Sequence, residues 1–288
     1  MNTKITILLI IALLSVSTSP IIGRALENIN AVSISFWRMF IAALILWSFS
    51  IFKPQGHMVE KININRTICA GILLGIHFAL FFEAIKITKI ANATFLGTLA
   101  PFFTLIIELY ILKRFYNKKV LLGLMFTLLG SVIILGYQFN LDSKYTIGNF
   151  YAVLCSLSIA LSFMIGEKVR QKENTIVYTR LLYFSASITL FIISILVSES
   201  LFYFNLNEFL GLVFLGLVPT IIGHNSIYYA LKYVPPTIVA AFPLGEPIIA
   251  TIFAFFIFSE VISINIFIGG LITGLGLVLI SIYKKSNY

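Results

Sequence analysis

The chain has 288 residues, of which 59% are hydrophobic and only 11% are charged, and its mean hydropathy is +1.02. Soluble globular proteins do not combine so large an apolar fraction with so few charges, so the composition excludes a water-soluble fold and indicates an integral membrane protein. The formal net charge of +9 would suggest nucleic-acid binding in a soluble protein, but in a membrane protein its meaning depends on where the charges lie.

Apolar runs of about twenty residues, each long enough to cross ~30 Å of hydrocarbon, recur along the whole chain. We predict ten transmembrane spans, at 4–23, 33–52, 67–87, 91–112, 119–138, 147–166, 177–197, 209–231, 236–257 and 264–283. The first run follows Lys4 as a secretory signal would, but it is long and lacks a small-x-small cleavage site, so we interpret it as the first span. The short linkers leave no room for a separate soluble domain.

The basic residues are distributed unevenly between the two sides of the predicted bundle. With both termini in the cytoplasm, four of the twenty lie outside: Arg24, Lys86, Lys89 and Lys144. Fourteen lie on the cytoplasmic side: Lys4, Lys53, Lys61, Arg66, Lys113, Arg114, Lys118, Lys119, Lys168, Arg170, Lys172, Lys232, Lys284 and Lys285. Because basic residues accumulate on the cytoplasmic side of membrane proteins, we predict cytoplasmic termini. This topology accounts for the positive charge without a nucleic-acid partner.

The two halves of the chain resemble each other. When the sequence is shifted by 146 residues, 84–134 aligns without a gap on 230–280, and eleven of these 51 positions are identical. Apolar composition produces many chance matches, but the matching prolines and glycines are harder to explain by chance: Pro101/Pro247, Gly123/Gly269 and Gly130/Gly276. An odd number of spans per half inserts the halves in opposite orientations. We therefore predict two five-helix inverted repeats, 1–140 and 141–288, around a central cavity, which is typical of alternating-access carriers.

An acidic residue, Glu246, lies near the middle of the ninth predicted span. Burying a charge near the bilayer centre is costly, so this carboxyl group should be neutral, paired or facing a wet cavity. We predict that it contacts a polar or cationic substrate group or exchanges a proton; a hydrogen bond that fixes helix packing is the alternative. Prolines remove a helical hydrogen bond, and we predict helix kinks at Pro20, Pro101, Pro219 and Pro247.

Other polar and aromatic side chains within the spans are candidates for the same site. His77 and His224 nearly correspond under the shift, and imidazole can donate, accept or titrate near neutral pH; a purely structural hydrogen bond is the alternative. The remaining substrate-site candidates are Asn225, Ser162, Tyr228 and Phe242. Two histidines without a carboxylate or cysteine pattern do not predict a metal site. Cys69 and Cys155 lie within apolar spans and predict no disulfide framework.

The sequence does not decide the roles of four further charged residues. Arg38 and Arg180 lie within or near spans, where they either snorkel and anchor the halves or, if they point inward, attract a carboxylate or phosphate. Near the span ends we predict an ion pair between Glu83 and Lys86. We also predict one between Glu108 and a basic residue at 113–114.

Several runs occur in a characteristic order and spacing: Phe-Trp-Arg at 36–38, GILLGIHFALF at 71–81, the Pro101 region, GNFYA at 148–152, VPTIIGHN at 218–225, ALKYV at 230–234, and LGEP at 244–247 followed by Glu260. Over nearly its whole length the chain resembles the ten-span EamA-type branch of the drug/metabolite transporter superfamily. The resemblance implies two five-helix inverted repeats around a central cavity and transport of small metabolites across the inner membrane. One departure is Arg114, which stands where the family usually has a glutamate, whereas Glu260 keeps that residue in the second half.

We therefore predict a secondary carrier, embedded in the lipid bilayer as a monomer or homodimer, for a small polar metabolite such as an amino acid or a related compound. Protons are the candidate coupling ion. Without a Walker loop or a catalytic nucleophile motif, we predict neither ATP-driven transport nor a cofactor. The alternative, a membrane-embedded enzyme acting on a lipid-linked substrate, would need clustered catalytic groups at one interface. The ionisable groups here are scattered, so we predict no enzyme activity.

Overall fold

The computed structural model describes residues 1–88, 90–135, 142–258 and 264–282, and these residues contain helices and no β-strand. The first half comprises α1 (Thr3–Val16), α2 (Ser19–Ala25), α3 (Ala31–Phe52), α4 (Lys61–Ile87), α5 (Ile90–Gly97), α6 (Ala100–Ile106) and α7 (Lys118–Leu135). The second half comprises α8 (Thr146–Arg170), α9 (Thr175–Leu196), α10 (Leu206–Leu215), α11 (Asn225–Ala230), α12 (Pro236–Ala241), α13 (Glu246–Phe258) and α14 (Ile264–Ser281).

Nine helical segments within the described ranges are long and apolar enough to cross a membrane. They correspond to nine of the ten predicted spans. The predicted fifth span, 119–138, overlaps α7, and its last three positions lie outside the described residues. The fold is thus an all-α membrane bundle, as the composition predicts.

Three spans are interrupted at or near a proline, because proline cannot donate the backbone hydrogen bond that continues a helix. Pro20 lies at the start of α2, just after α1 ends, and Pro101 lies at the start of α6. In the ninth span, a short 3₁₀ turn that contains Pro243 separates α12 from α13, and Pro247 is the second residue of α13. The fourth and ninth spans, which correspond under the 146-residue shift, are therefore both broken near their middle.

Side-chain hydroxyls satisfy backbone groups that these interruptions leave without a helical partner. In the fourth span, Ser156 of α8 accepts a hydrogen bond from Leu99 N–H (3.0 Å) and donates to the Leu96 carbonyl. In the eighth span, Pro219 lies in a π-helical segment, Gly216–His224, between α10 and α11. There Thr220 Oγ1 donates to the Leu215 carbonyl at 2.8 Å. These side-chain hydrogen bonds stabilise the interrupted spans, because an unsatisfied backbone group is energetically costly inside a membrane.

Helices of one half pack on helices of the other in a two-fold pattern. Equivalent spans pair with each other: α3 packs on α9, α6 on α12 and α7 on α14. The remaining contacts are reciprocal, since the third span (α4) packs on the sixth (α8) and the first (α1) packs on the π-helical segment of the eighth. This packing is the pattern expected of two oppositely inserted repeats.

The closest of these contacts, between α7 and α14, is made by residues that the two halves share. Gly123 and Gly130 lie against Gly276 and Gly269 respectively, so the two helices run antiparallel. A Cβ atom added at Gly276 would lie 2.6 Å from both the Gly123 carbonyl oxygen and the Thr127 nitrogen. Small residues allow backbones in membranes to approach this closely. Packing therefore accounts for the glycines of the internal repeat.

Candidate functional site

A cavity with an empty volume of about 600 Å³, including space open to solvent, lies between the two halves. Helices α1 to α6 supply one wall, and α8 and the eighth and ninth spans supply the other. Its polar lining residues are Ser19, Arg38, His77, Thr98, His224 and Glu246. The other lining residues are apolar or small: Val16, Phe78, Phe81, Gly97, Ala100, Ile159, Phe163, Ile227, Ala240 and Pro243.

Arg38 is held rigidly in the wall of this cavity. Its Nε donates to Thr220 Oγ1 at 2.8 Å, and its Nη1 donates to Ser19 Oγ at 2.9 Å. The guanidinium carbon lies 4.2 Å from the centre of the Phe78 ring, a cation–π distance. The side chain is 1% exposed. Both hydrogen-bond acceptors are neutral hydroxyls, so neither compensates the positive charge.

The two histidines lie on either side of the same phenylalanine. The ring centres of His77 and His224 are 4.7 and 5.4 Å from that of Phe78, both in edge-on geometry. His77 Nδ1 lies 3.0 Å from the Cys155 carbonyl oxygen and 3.1 Å from the Cys155 thiol sulfur. His224 Nδ1 is buried and has no hydrogen-bond partner among the described residues. The histidine of the second half therefore keeps an unused polar atom beside the cavity.

Glu246 is the first residue of α13, directly after the 3₁₀ turn that breaks the ninth span. It is 8% exposed and lines the cavity. Within the described part of the chain its carboxyl group has no hydrogen-bond partner. Arg38 attracts it electrostatically, but the two side chains do not form a direct ion pair. The acidic group is thus buried, unpaired by direct contact and adjacent to open space.

Four of the predicted substrate-site residues do not line the cavity. Ser162 donates to the Ala70 carbonyl at 3.0 Å, and Asn225 Oδ1 accepts a hydrogen bond from Tyr183 at 2.9 Å. Tyr228 is fully buried, with aromatic neighbours that include Phe163 and Tyr178, and Phe242 is 2% exposed in the 3₁₀ turn of the ninth span. These side chains support the helices around the site. Glu246, His77 and His224 are the predicted site residues that line it.

The sequence left the role of Arg38 open and did not indicate Phe78, Phe81 or Thr98 as site residues. Arg38 lines the cavity, whereas Arg180 donates to the Gly56 carbonyl at 2.7 Å and lies over the Trp47 ring, away from the cavity. Phe78, Phe81, Ser19 and Thr98 also line it. The only signal in the sequence for Phe78 is its position next to His77, because phenylalanine is abundant throughout the chain.

A second polar cluster lies at one end of the bundle, where the fourth, sixth and ninth spans meet. Glu108 is fully buried and accepts hydrogen bonds from Tyr116 (2.5 Å) and from the backbone and hydroxyl of Thr237. Arg114 Nη1 lies 2.9 Å from Glu108 and 2.8 Å from Glu167. Partial burial opposes the charge of Arg114, but the two carboxylates outweigh it and raise the pKa of Arg114 above its ordinary value. We call these five residues the Glu108 cluster.

The predicted pairing of Glu108 with a basic residue at 113–114 is therefore confirmed. The pairing of Glu83 with Lys86 is wrong, because Lys86 Nζ donates instead to the Ile29 carbonyl at 2.9 Å. A backbone carbonyl in the neighbouring loop offers this lysine a partner within its reach. Glu260 lies outside the described residues. Among the residues with described positions, no group of three or more His, Cys, Asp or Glu side chains is placed to hold a metal ion.

Comparison with known proteins identifies the family. The EamA-like transporter family matches residues 3–136 and 146–282. The chain belongs to this family. It is accordingly a membrane transporter and not the membrane-embedded enzyme considered as the alternative. The EamA match covers both halves of the chain. Each of the two parts that enclose the cavity therefore resembles the family.

The curated proteins that the chain resembles include three transporters. The chain is 26% identical to an uncharacterized transporter of Archaeoglobus fulgidus, over 97% of this chain and 98% of that protein. It is 23% identical to the pseudopaline exporter of Pseudomonas aeruginosa (77% and 76% covered) and 25% identical to the S-adenosylmethionine uptake transporter of Rickettsia conorii (87% and 83% covered). A solved crystal structure matches 97% of this EamA protein and 96% of its own chain with a TM-score of 0.82 at 16% identity, which shows a shared fold.

Proposed function

We propose that this EamA protein is a secondary carrier that moves a small polar metabolite, such as an amino acid or a related compound, across the inner membrane by alternating access. The observation that carries the proposal is the buried Glu246 carboxyl group, which lines the cavity between the halves and has no hydrogen-bond partner in the described chain. A buried charge without a partner is destabilising. A cationic or hydrogen-bonding substrate group, or a proton, would remove that cost.

Glu246 is also the group that would couple transport to protons. When no substrate is bound, a proton on Glu246 neutralises it, and a substrate that supplies a positive charge displaces that proton. The other titratable and charged groups that line the cavity are Arg38, His77 and His224. Arg38 favours the ionised carboxylate, so its distance from Glu246 in each state of the carrier sets how readily the proton leaves.

Alternating access requires one end of the cavity to be closed while the other is open. With both termini in the cytoplasm, the Glu108 cluster lies at the cytoplasmic ends of the fourth, sixth and ninth spans. It joins the first half (Glu108, Arg114, Tyr116) to the second (Glu167, Thr237). We infer that these contacts close the cytoplasmic exit and separate when the halves rock. Since a single chain forms the whole cavity, a monomer or each subunit of a homodimer suffices.

The names of two relatives support carriage of a small metabolite. One is named an exporter of pseudopaline and the other an uptake transporter for S-adenosylmethionine. These names assign opposite directions to those two proteins, so they do not indicate a direction for this chain.

The test combines binding with transport. Purified protein is screened by thermal shift against a metabolite library, because a ligand that binds the folded state raises its unfolding temperature. Compounds that stabilise the protein are then assayed for movement in proteoliposomes with wild type, Glu246→Gln and Glu27→Gln. Glu27 is an exposed loop residue, and its substitution controls for the loss of one carboxylate. We expect Glu246→Gln alone to slow transport and flatten its pH dependence. Equal rates and pH profiles in all three proteins would refute the proposed role of Glu246.

A further inference from the structure

We propose that the substrate is a zwitterion whose carboxylate binds Arg38 and whose protonated amine binds Glu246. This inference rests on the proposed carrier function and names the class of compound that the cavity recognises. It starts from an arrangement that the sequence leaves open: a buried guanidinium and a buried carboxyl group line one cavity from opposite halves of the protein.

Arg38 and Glu246 do not neutralise each other by direct contact. Arg38 and Glu246 attract each other, yet no direct ion pair joins them. A substrate with only an amine leaves the charge of Arg38 uncompensated in a low-dielectric site, and one with only a carboxylate leaves Glu246 buried without a partner unless it holds a proton. A substrate with both charges satisfies the two groups together and leaves the loaded cavity electrically balanced. Charge complementarity of this kind discriminates between compounds of similar size.

Arg38 is preorganised for a carboxylate. Hydrogen bonds to Thr220 and Ser19 and the ring of Phe78 fix the plane of the guanidinium. Its second terminal nitrogen, Nη2, has no hydrogen-bond partner in the described part of the chain. A carboxylate can therefore accept a charge-assisted hydrogen bond from Nη2 without displacing an existing contact. The two hydroxyl partners set the direction of the side chain but do not neutralise it.

The other wall suits an ammonium group. Glu246 supplies the negative charge that the protonated amine would contact. His224 Nδ1, which is buried beside the cavity and has no partner in the part of the chain that the structure describes, offers one further polar contact. Around these groups the lining is apolar, with Ile159 and Phe163 among its side chains. The lining around the charged groups therefore favours an apolar or aromatic substituent on the amino acid.

Matched probes test the inference on the wild-type protein alone. Phenylalanine, 2-phenylethylamine and 3-phenylpropionate share one side chain and carry both charges, only the amine or only the carboxylate. Leucine, isoamylamine and 4-methylpentanoate form a second trio, and a third is built on the library compound if its side chain differs. Affinities are measured by calorimetry on the full chain in nanodiscs. Because a hydrogen bond to a charged group discriminates by about ten-fold or more, we expect the zwitterion of the fitting trio to bind at least about ten-fold more tightly than either analogue.

Variants then test which residue binds the carboxylate of the substrate and which binds its amine. We expect Arg38→Gln to bind the zwitterion no better than the amine, and Glu246→Gln to bind it no better than the carboxylate. Arg38→Lys keeps the charge and should retain part of the preference, which separates binding from misfolding. Equal wild-type affinity for the zwitterion and the amine, or for the zwitterion and the carboxylate, would overturn the inference.

The outcomes also separate this inference from the proposed function. A transported compound that carries only one charged group, moved in a Glu246-dependent manner, would leave the carrier function standing and remove the zwitterion assignment. Failure to find any compound whose transport depends on Glu246 would remove both.

Discussion

At the scale of single residues, Phe78 connects the polar groups of the cavity. Its ring lies under the Arg38 guanidinium and edge-on to both His77 and His224. The side chain is 2% exposed and comes from α4, whose other face packs on α8 and α9 of the second half. Three polar residues of the cavity, Arg38, His77 and His224, therefore contact one aromatic ring.

We predict that Phe78→Leu weakens substrate binding while the protein still folds. Leucine fills most of the volume but has no aromatic face, and a buried cation–π contact is worth about 1–2 kcal/mol, which corresponds to roughly five- to thirty-fold in affinity. Calorimetry with the transported compound measures the change. Phe255→Leu is the control, because Phe255 is 43% exposed on the outside of α13. Unchanged affinity in Phe78→Leu would mean that the ring only fills space.

The types of residue within the spans predicted three of the side chains that line the cavity. Which other side chains line it depends on how each helix is rotated about its axis. Glu246, His77 and His224 could be predicted because an ionisable group within an apolar span needs a specific environment. Tyr228, Phe242, Ser162 and Asn225 could not be placed, because a span that is apolar on every side has no polar stripe to indicate which face meets the cavity. The π-helical segment before Asn225 also changes the angular spacing of the residues that follow it.

At the scale of helices, the α7–α14 contact depends on glycines of the internal repeat. The backbones touch there, so an added methyl group would meet backbone atoms, which cannot move aside as a flexible side chain does. The repeat in the sequence predicted equivalence of these positions but not their contact. The breaks in the fourth and ninth spans were only partly predictable, because Pro243, which lies in the 3₁₀ turn, acts together with Pro247.

We predict that Gly276→Ala destabilises the protein and that Gly274→Ala, on the same helix, does not. A Cβ at Gly276 would lie 2.6 Å from Gly123 O and Thr127 N, whereas one at Gly274 would meet nothing within 4 Å. Overpacking of this kind costs about 1–3 kcal/mol, while alanine in an open helical position is favoured over glycine by up to about 1 kcal/mol. Thermal unfolding of the purified proteins in one detergent compares them. Equal unfolding temperatures would contradict the contact.

At the scale of the whole molecule, contacts between the two halves form both the cavity and the Glu108 cluster. The cavity lies between the halves, and the cluster joins the halves at the end that we assign to the cytoplasm. The all-α bundle with its apolar spans could be predicted from composition and periodicity. The Glu108 cluster could not, since Glu108, Glu167 and Thr237 are far apart in the sequence and meet only through the packing of three spans.

We predict that Thr237→Val favours the state open to the cytoplasm. The change removes the hydroxyl that Thr237 donates to Glu108, and a hydrogen bond to a charged group is worth about 1.5–3 kcal/mol, so the open population should rise by about ten-fold or more. The reporter is a cysteine at the cavity-lining Ala240 in a Cys69→Ser background, labelled by a membrane-impermeant maleimide applied to inside-out vesicles.

Thr251→Val serves as the control for this change, because Thr251 Oγ1 donates only to the Pro247 carbonyl of its own helix. It should leave the labelling rate unchanged. The same rate in both variants would show that the Thr237 contact does not hold the cytoplasmic end closed.

The most direct test of the central claim, that substrate passes through the cavity between the halves, is the effect on transport of blocking this cavity. Thr98→Cys and Ile72→Cys are made in the Cys69→Ser background; Thr98 lines the cavity, and Ile72 is 42% exposed on α4. Both variants are reacted with a charged methanethiosulfonate reagent in proteoliposomes, and complete modification is verified by mass spectrometry. We predict that modification abolishes transport by Thr98→Cys, that bound substrate slows the reaction there, and that Ile72→Cys transports as before. Undiminished transport by fully modified Thr98→Cys would contradict the account.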